Sequence, residues 1–304
     1  MLPPDHQGGV HYHYQYIKVT TMAVIRIHGS NTRNFRTASE GMRMAYRVDI
    51  WRFRDSTEYE YKYAGRYGAA GESRAKRKKA TPEQVRQQNR RNRETRMRRL
   101  IKANFRSSDL WITLKYPAGT KKSIEEAAND LKNFLRKLKR RYNRAGHDLK
   151  YIYRIEIGKK GGVHVHLIIN RVNGSDLMIQ SAWQQGYFNI TPMYETGDFK
   201  ALAEYIVKEP PEDGQMMLLD DTEKKKVTRY STSRNLIRPV PETKEYKRRT
   251  VERLIRNGIR PSAGYHIDED SIVTGTNPYT GMSYIYYTEI RIRRTGKRGD
   301  PMQT

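Results

Sequence analysis

The 304-residue sequence contains no cysteine and no long apolar run. Without cysteine, the chain has no disulfide, no thiolate metal site and no cysteine nucleophile. No apolar run approaches the roughly 18 residues of a transmembrane helix, and the N-terminal residues lack the pattern of a signal peptide. We therefore expect a protein of the bacterial cytoplasm that makes no contact with a membrane.

The sequence also lacks a phosphate-binding loop and has few acidic residues. Thr295-Gly296-Lys297 is not preceded by the first glycine and the strand of a P-loop, so we expect no NTPase or helicase motor. Lys and Arg number 59 against 33 acidic residues, which gives a formal net charge of +26. That charge favours a polyanionic partner, most simply nucleic acid. The 22 tyrosines fit such a partner, because their rings stack on bases.

The most basic segment is residues 74–102, with thirteen Lys/Arg and two Glu. Within it, Thr81-Pro82 is typical of a helix start, with Thr as the cap and Pro at the first helical position. The segment predicts a basic helix over residues 82–102. Because the charge is long and of one sign, we expect this helix to contact the DNA backbone.

The order of elements predicts an α+β fold. A strand at 110–116 precedes an amphipathic helix, a hairpin, a further strand and another helix. This order suits a central antiparallel β-sheet of about five strands with helices packed on one face. We divide the chain into a Tyr-rich basic N-terminal arm (1–80), a central domain (81–239) and a basic C-terminal extension (240–304).

The central hairpin runs from Tyr151 to Asn170, and both of its strands alternate around a glycine-rich loop. If Ile157 pairs with Val163, then Glu156 lies directly across from His164. Side chains paired in this way have Cβ atoms roughly 4.5–5.5 Å apart. A slip of one residue would move Glu156 to the other face of the sheet.

This register predicts a metal site. Glu156, His164 and His166 would cluster on one face, and two imidazoles with one carboxylate suit a divalent ion with open coordination positions. The alternative is that the histidines are ordinary polar residues on the wet side of a strand. A second His-x-His, at His11 and His13, has no facing acidic strand and is not expected to bind metal.

These motifs resemble the single-tyrosine HUH endonucleases, the rolling-circle replication initiators (Rep proteins) of plasmids, phages and single-stranded DNA viruses. The resemblance rests on His164-Val165-His166, on Glu156, on Tyr205-Ile-Val-Lys208 and on the apolar strand Trp111-Ile-Thr-Leu114. It is closest to bacterial plasmid or filamentous-phage types, in which a segment like Ser-Arg-Asn-Leu at 233–236 recurs. The motifs cover residues 109–239.

The resemblance implies a metal-dependent enzyme that nicks and rejoins single-stranded DNA at an origin. Glu156, His164 and His166 would hold Mn²⁺ or Mg²⁺, and Tyr205 would form a 5′-phosphotyrosine and release a 3′-OH. Lys208 would lower the pKa of the tyrosine, stabilise the phosphate or orient the substrate. The partners implied are origin DNA, a host DNA polymerase and a host helicase.

Other assignments remain open. Tyr187 and Tyr194 compete with Tyr205 for the role of nucleophile, and Glu209, four residues after Tyr205, disfavours a two-tyrosine site. A relaxase or transposase would use the same chemistry, whereas an RRM-like nucleic-acid-binding protein would need no metal, and a structural-metal protein would unfold on chelation. The basic positions expected to bind DNA are Arg86, Arg90, Arg93, Lys137, Arg140, Arg141, Lys159, Lys160 and Arg234.

Overall fold

The computed structural model describes residues 46–64, 81–158, 161–193, 199–209, 219–246, 248–277 and 282–292. They form two compact units. The central unit spans 81–240, and the composite unit combines 46–64 with the described part of 241–292. None of the described helices combines the length and the apolarity needed to cross a bilayer.

The described residues contain ten strands and six helices. In chain order they are β1 (Tyr46–Arg52), β2 (Ser56–Tyr63), α1 (Pro82–Asn104), β3 (Leu110–Lys115), α2 (Ile124–Arg144), β4 (Tyr151–Ile157), β5 (Val163–Ile169), α3 (Ser175–Ala182), β6 (Tyr187–Pro192), α4 (Lys200–Val207), α5 (Asp221–Thr228), β7 (Tyr230–Thr232), β8 (Glu242–Tyr246), α6 (Arg248–Asn257), β9 (Tyr265–Thr276) and β10 (Ser283–Arg291).

The sheet of the central unit has the order β6-β3-β5-β4-β7, and every pair of neighbours is antiparallel. The predicted α+β fold with a central antiparallel sheet is confirmed. The hairpin β4-β5 has the predicted register, with Ile157 opposite Val163 and Glu156 opposite His164. This register follows from the alternating pattern of both strands, because a slip would bury the polar positions and expose the apolar ones.

One face of this sheet is apolar and is covered by α2. Val165, Leu167 and Ile169 of β5 are fully buried there, in a cluster with Leu131 and Leu138 of α2. The helix begins as its sequence predicts, because Ser123 and Glu126 form a reciprocal capping box. This apolar face positions the strands for the residues that alternate with it.

Helices lie on the other face as well. The last turns of α1 place Leu100 and Ile101 in a cluster with Ile206 of α4 and with Ile152 and Ile168 of the sheet. This cluster covers one end of the face. The polar end of the same strands stays accessible, and the candidate site lies there.

The composite unit joins two segments that are distant in the sequence. Its sheet has the order β8-β1-β2-β10-β9 and is entirely antiparallel. The hairpin β1-β2 presents an apolar face in which Val48 and Tyr61 pack with Ile285 of β10 and Val251 of α6. An isolated two-stranded hairpin is marginally stable in water. The C-terminal strands supply the surface that this hairpin needs, so the segments at 46–64 and 241–292 share one core.

Candidate active site

Three potential metal ligands meet on two neighbouring strands. Glu156 lies on β4, and His164 and His166 lie on β5. One potential ligand atom from each residue lies within 4.8 Å of the others. The Oε2 atom of Glu156 is 3.3 Å from Nε2 of His166 and 3.7 Å from Nε2 of His164. Glu156, His164 and His166 therefore form a triad that could hold a metal ion.

The chemistry of this donor set fits a borderline divalent ion. One carboxylate and two imidazoles leave further coordination positions for substrate. Hydrogen bonds from His164 and His166 hold the pKa of Glu156 well below its usual range, and burial lowers the pKa of His166. At neutral pH, Glu156 is thus ionised and the His166 ring is neutral. These are the protonation states in which a carboxylate and an imidazole bind metal.

Tyr205 of α4 points at the triad. Its hydroxyl donates to Oε2 of Glu156 at 2.5 Å and lies 2.8 Å from Nε2 of His166. Burial, and then the hydrogen bond to the Glu156 carboxylate, raise the pKa of Tyr205 well above its usual range. The phenol is therefore protonated in this arrangement. Any nucleophilic role requires that its proton be released and that Glu156 be neutralised.

Lys208 follows α4 directly and reaches the same carboxylate. Its Nζ lies 3.5 Å from Oε1 of Glu156 and 5.3 Å from the centre of the Tyr205 ring. The three-residue spacing of Tyr205 and Lys208 brings both side chains to one side of the helix end. The lysine is about half exposed, so its charge can meet a substrate phosphate from the solvent side.

Arg154 holds the end of α4 against the sheet, and the sequence analysis assigned it no role. Its side chain is 1% exposed, and one guanidinium nitrogen donates to the carbonyl oxygens of Tyr205, Ile206 and Lys208. These carbonyls are the ones that a helix C-terminus leaves without partners. A cation there also suits the helix dipole. The signal in the sequence was an arginine between apolar residues in a strand that reads as buried.

His166 is supported from β3. The Oγ1 atom of Thr113 lies 3.2 Å from Nδ1 of His166, and the Trp111 ring stacks on the imidazole with ring centres 5.2 Å apart. Trp111 also meets the Tyr205 ring edge-on at 5.6 Å. When Nδ1 donates to Thr113, Nε2 keeps its lone pair free for a ligand. The apolar strand with a central threonine thus orients one histidine of the triad.

The basic positions expected to bind DNA do not all meet at this site. Arg86 and Arg90 lie on the exposed part of α1, and Arg93 pairs with Glu209 just after α4. Arg234 follows β7 beside the start of β4, whereas Glu156 lies near the other end of that strand.

The remaining basic positions are elsewhere. Lys137, Arg140 and Arg141 lie on α2, which covers the opposite face of the sheet. Two of them have local partners, since Arg141 donates to the carbonyls of Lys137 and Ser181. Lys159 and Lys160 fall outside the described residues, as do Tyr194, His11 and His13.

The other tyrosine proposed as a nucleophile, Tyr187, lies at the start of β6. It is on the same face as the triad, but Lys115 of β3 stands between it and His164. Its side chain has no described contact with the triad, and the residue is 69% exposed. Among the described tyrosines, Tyr205 is therefore the one whose hydroxyl bonds to Glu156 and His166.

Comparison with known proteins adds a family to this geometry. No curated protein and no solved structure matches the chain. Residues 109–210, from the start of β3 to just beyond Lys208, match a family model of replication-associated proteins, the ORF2 type, which supports a replication initiator type.

Proposed function

We propose that the protein is a rolling-circle replication initiator of the single-tyrosine HUH type, which nicks and rejoins single-stranded origin DNA. One observation carries this proposal: the Tyr205 hydroxyl lies within hydrogen-bonding distance of both Glu156 and His166. A nucleophile and a potential metal site thus share one face of a sheet. The match of residues 109–210 to a replication-associated family favours DNA as the substrate.

The reaction is a transesterification at phosphorus. A divalent ion, Mn²⁺ or Mg²⁺, held by Glu156, His164 and His166 would supply a Lewis acid for the scissile phosphate. The Tyr205 oxygen attacks phosphorus and loses its proton, a new O–P bond forms, and the bond from phosphorus to the 3′ oxygen breaks. The products are a 5′-phosphotyrosine and a free 3′-OH. Because the phosphodiester energy is kept in the covalent link, rejoining needs no ATP.

Lys208 assists this step by its charge. Its Nζ lies 3.5 Å from the Glu156 carboxylate and on the solvent side of Tyr205. There it offsets the negative charge that develops on the phosphoryl oxygens as the nucleophile adds. Arg154 fixes the helix end that carries both residues, so Tyr205 approaches the phosphate from one direction.

The DNA around the nick contacts basic surfaces beyond the triad. Residues 82–92 of α1 are exposed on every side and carry Arg86 and Arg90, a surface suited to the phosphate backbone. We place the nickase domain at residues 81–239. The 3′-OH would prime a host polymerase in the bacterial cytoplasm, and a host helicase would open the duplex.

Two alternatives differ in what they require. A relaxase or transposase would share the chemistry, and its DNA substrate and neighbouring genes would identify it. A passive RRM-like binder presents exposed aromatics at the centre of its sheet. Here the central position is occupied by the triad, and Trp111 is packed against His166 and Tyr205. Metal dependence separates a nickase from such a binder.

The test of the proposal is covalent capture of DNA. Labelled single-stranded DNA from the replicon is incubated with the full chain and either Mn²⁺ or EDTA, and the products are separated on a denaturing gel. We expect a protein–DNA adduct with Mn²⁺ that is absent with EDTA and absent in Tyr205→Phe. The matched variant Tyr187→Phe should keep the adduct. An adduct that survives Tyr205→Phe would overturn the assignment of the nucleophile, and binding without cleavage would favour the passive binder.

A further inference from the structure

A row of side chains crosses the central sheet from the triad to its edge strand. The strand registers place Glu156 opposite His164, His164 opposite Lys115 and Lys115 opposite Tyr187. Directly paired residues of antiparallel strands point to the same face. These four residues therefore form one continuous line, called here the cross-sheet row, on the face that carries the candidate site.

The alternation of β3 and β6 supports this assignment independently. Leu114 and Phe188 pack into the apolar cluster beneath α2. Their neighbours Lys115 and Tyr187 must then point to the opposite face. On that face, the Thr113 hydroxyl contacts His166, which confirms which side of β3 faces the triad.

The outer half of the cross-sheet row is open to solvent. Tyr187 is 69% exposed, Lys115 is exposed, and the following outward residue of β6, Asn189, is exposed too. Tyr187 differs in this from Trp111, which is packed between His166 and Tyr205. An aromatic ring left this exposed on an otherwise polar strand gives the fold little burial energy. Its ring is free to be covered by a ligand.

The backbone also holds Tyr187 close to Lys115. A Cβ atom at Gly186 would collide with the carbonyl oxygen of Lys115, so only glycine allows β6 to start at this distance from the end of β3. Two strand spacings, roughly 10 Å, then separate Tyr187 from His164. A chain that crosses the sheet from the triad meets the lysine first and the tyrosine ring next.

We propose that Lys115 and Tyr187 form a binding subsite for the nucleotide next to the scissile phosphate, in which Tyr187 stacks on a base and Lys115 contacts the adjoining phosphate. The proposal rests on the proposed function for the position of the scissile phosphate. The ligand class is single-stranded DNA, because a base offers its flat face only when it is unpaired and unstacked. Stacking on an aromatic ring tolerates any base, so this subsite adds affinity without fixing sequence.

The subsite also gives Tyr187 a role different from that of a nucleophile. Stacking uses the ring and needs no hydroxyl, so Tyr187→Phe keeps the interaction and Tyr187→Ala removes it. A nucleophile would show the opposite dependence, because phenylalanine lacks the attacking oxygen. The same pair of variants therefore separates the two roles.

The test measures binding apart from cleavage. Fluorescein-labelled oligothymidine of ten nucleotides is titrated with the full chain in EDTA, and the fluorescence anisotropy gives the dissociation constant. Loss of one base–aromatic stack should weaken binding by on the order of tenfold in Tyr187→Ala, with recovery in Tyr187→Phe. Lys115→Gln should weaken binding and lower the salt slope of the affinity by about 0.7. The matched control is Leu177→Ala, which also removes an exposed apolar side chain, on α3.

Three results would overturn the proposal. Unchanged affinity in Tyr187→Ala would show that the ring contacts no base, and equal loss in Tyr187→Phe would show that the hydroxyl matters. If the tyrosine variant bound DNA normally but lost a protein partner, the exposed ring would belong to a protein interface. Because the readout is binding in EDTA, a protein that fails to cleave DNA leaves this test intact.

Discussion

Successive residues of β5 point to opposite faces of the central sheet, and the two faces differ in both chemistry and burial. Val165, Leu167 and Ile169 have no exposed surface and pack beneath α2. His164 and His166 keep 21% and 10% of their side-chain surface exposed. The apolar face supplies burial energy, and the polar face supplies groups that a substrate can reach.

The comparison explains why the site is so perturbed. Its polar groups are close enough to the core to lose part of their hydration, so Glu156, His166 and Tyr205 have shifted pKa values. Because they also bond to one another, each shift depends on its neighbours. A fully hydrated face would leave these groups with ordinary pKa values, and a fully buried one would exclude a phosphate.

The polar face should account for metal binding alone, and Glu156→Gln tests this most sharply. The change keeps the shape of the side chain but removes the ligand charge. We expect Mn²⁺ affinity to fall by more than the roughly 10–100-fold that loss of an outer-shell partner causes. Isothermal titration calorimetry and the Mn²⁺-induced shift in melting temperature measure it.

The matched control for this variant is Glu125→Gln. That residue is exposed near the start of α2, on the helix that covers the opposite face. It undergoes the same chemical change and should bind Mn²⁺ like the original chain. Equal affinity in both variants would show that Glu156 is not a ligand.

The two faces were not equally readable from the sequence. The register that brings Glu156 to His164 was predicted because both strands alternate with a period of two around a short glycine-rich loop. The contact of Tyr205 with Glu156 could be predicted only through the resemblance to a known family. Nothing local in α4 indicates which strand the helix packs against.

Long-range packing explains what the sequence analysis left out. Arg154 satisfies three carbonyls that belong to a helix some fifty residues later, and a strand pattern contains no information about that helix. Likewise, the sheet of the composite unit pairs β2 with β10 from the far end of the chain. Such pairings depend on complementary apolar faces, and alternation within one segment does not identify its partner.

The apolar face should account for stability without affecting the metal site, which Leu138→Ala tests. Leu138 is fully buried beneath the sheet. Its truncation should lower the free energy of unfolding by about 2–5 kcal/mol, because transfer energy is lost and a cavity remains. Urea unfolding followed by tryptophan fluorescence measures this change. The exposed neighbour Lys139→Ala should stay within about 0.5 kcal/mol. A large loss of Mn²⁺ affinity in folded Leu138→Ala would contradict the separation of the two faces.

The smallest effect expected is at Thr113, which supports His166 from the next strand without reaching the metal position. Its hydroxyl lies 3.2 Å from Nδ1 of His166 and can accept the proton that leaves Nε2 free as a ligand. Thr113→Val keeps the shape but removes the acceptor, so Mn²⁺ affinity should fall about tenfold. Thr113→Ser retains the hydroxyl and should recover most of the loss, as measured by calorimetry. If valine and serine bound Mn²⁺ equally well, the orientation of His166 would come from the Trp111 stack alone, and the polar face would depend on packing as much as the apolar one does.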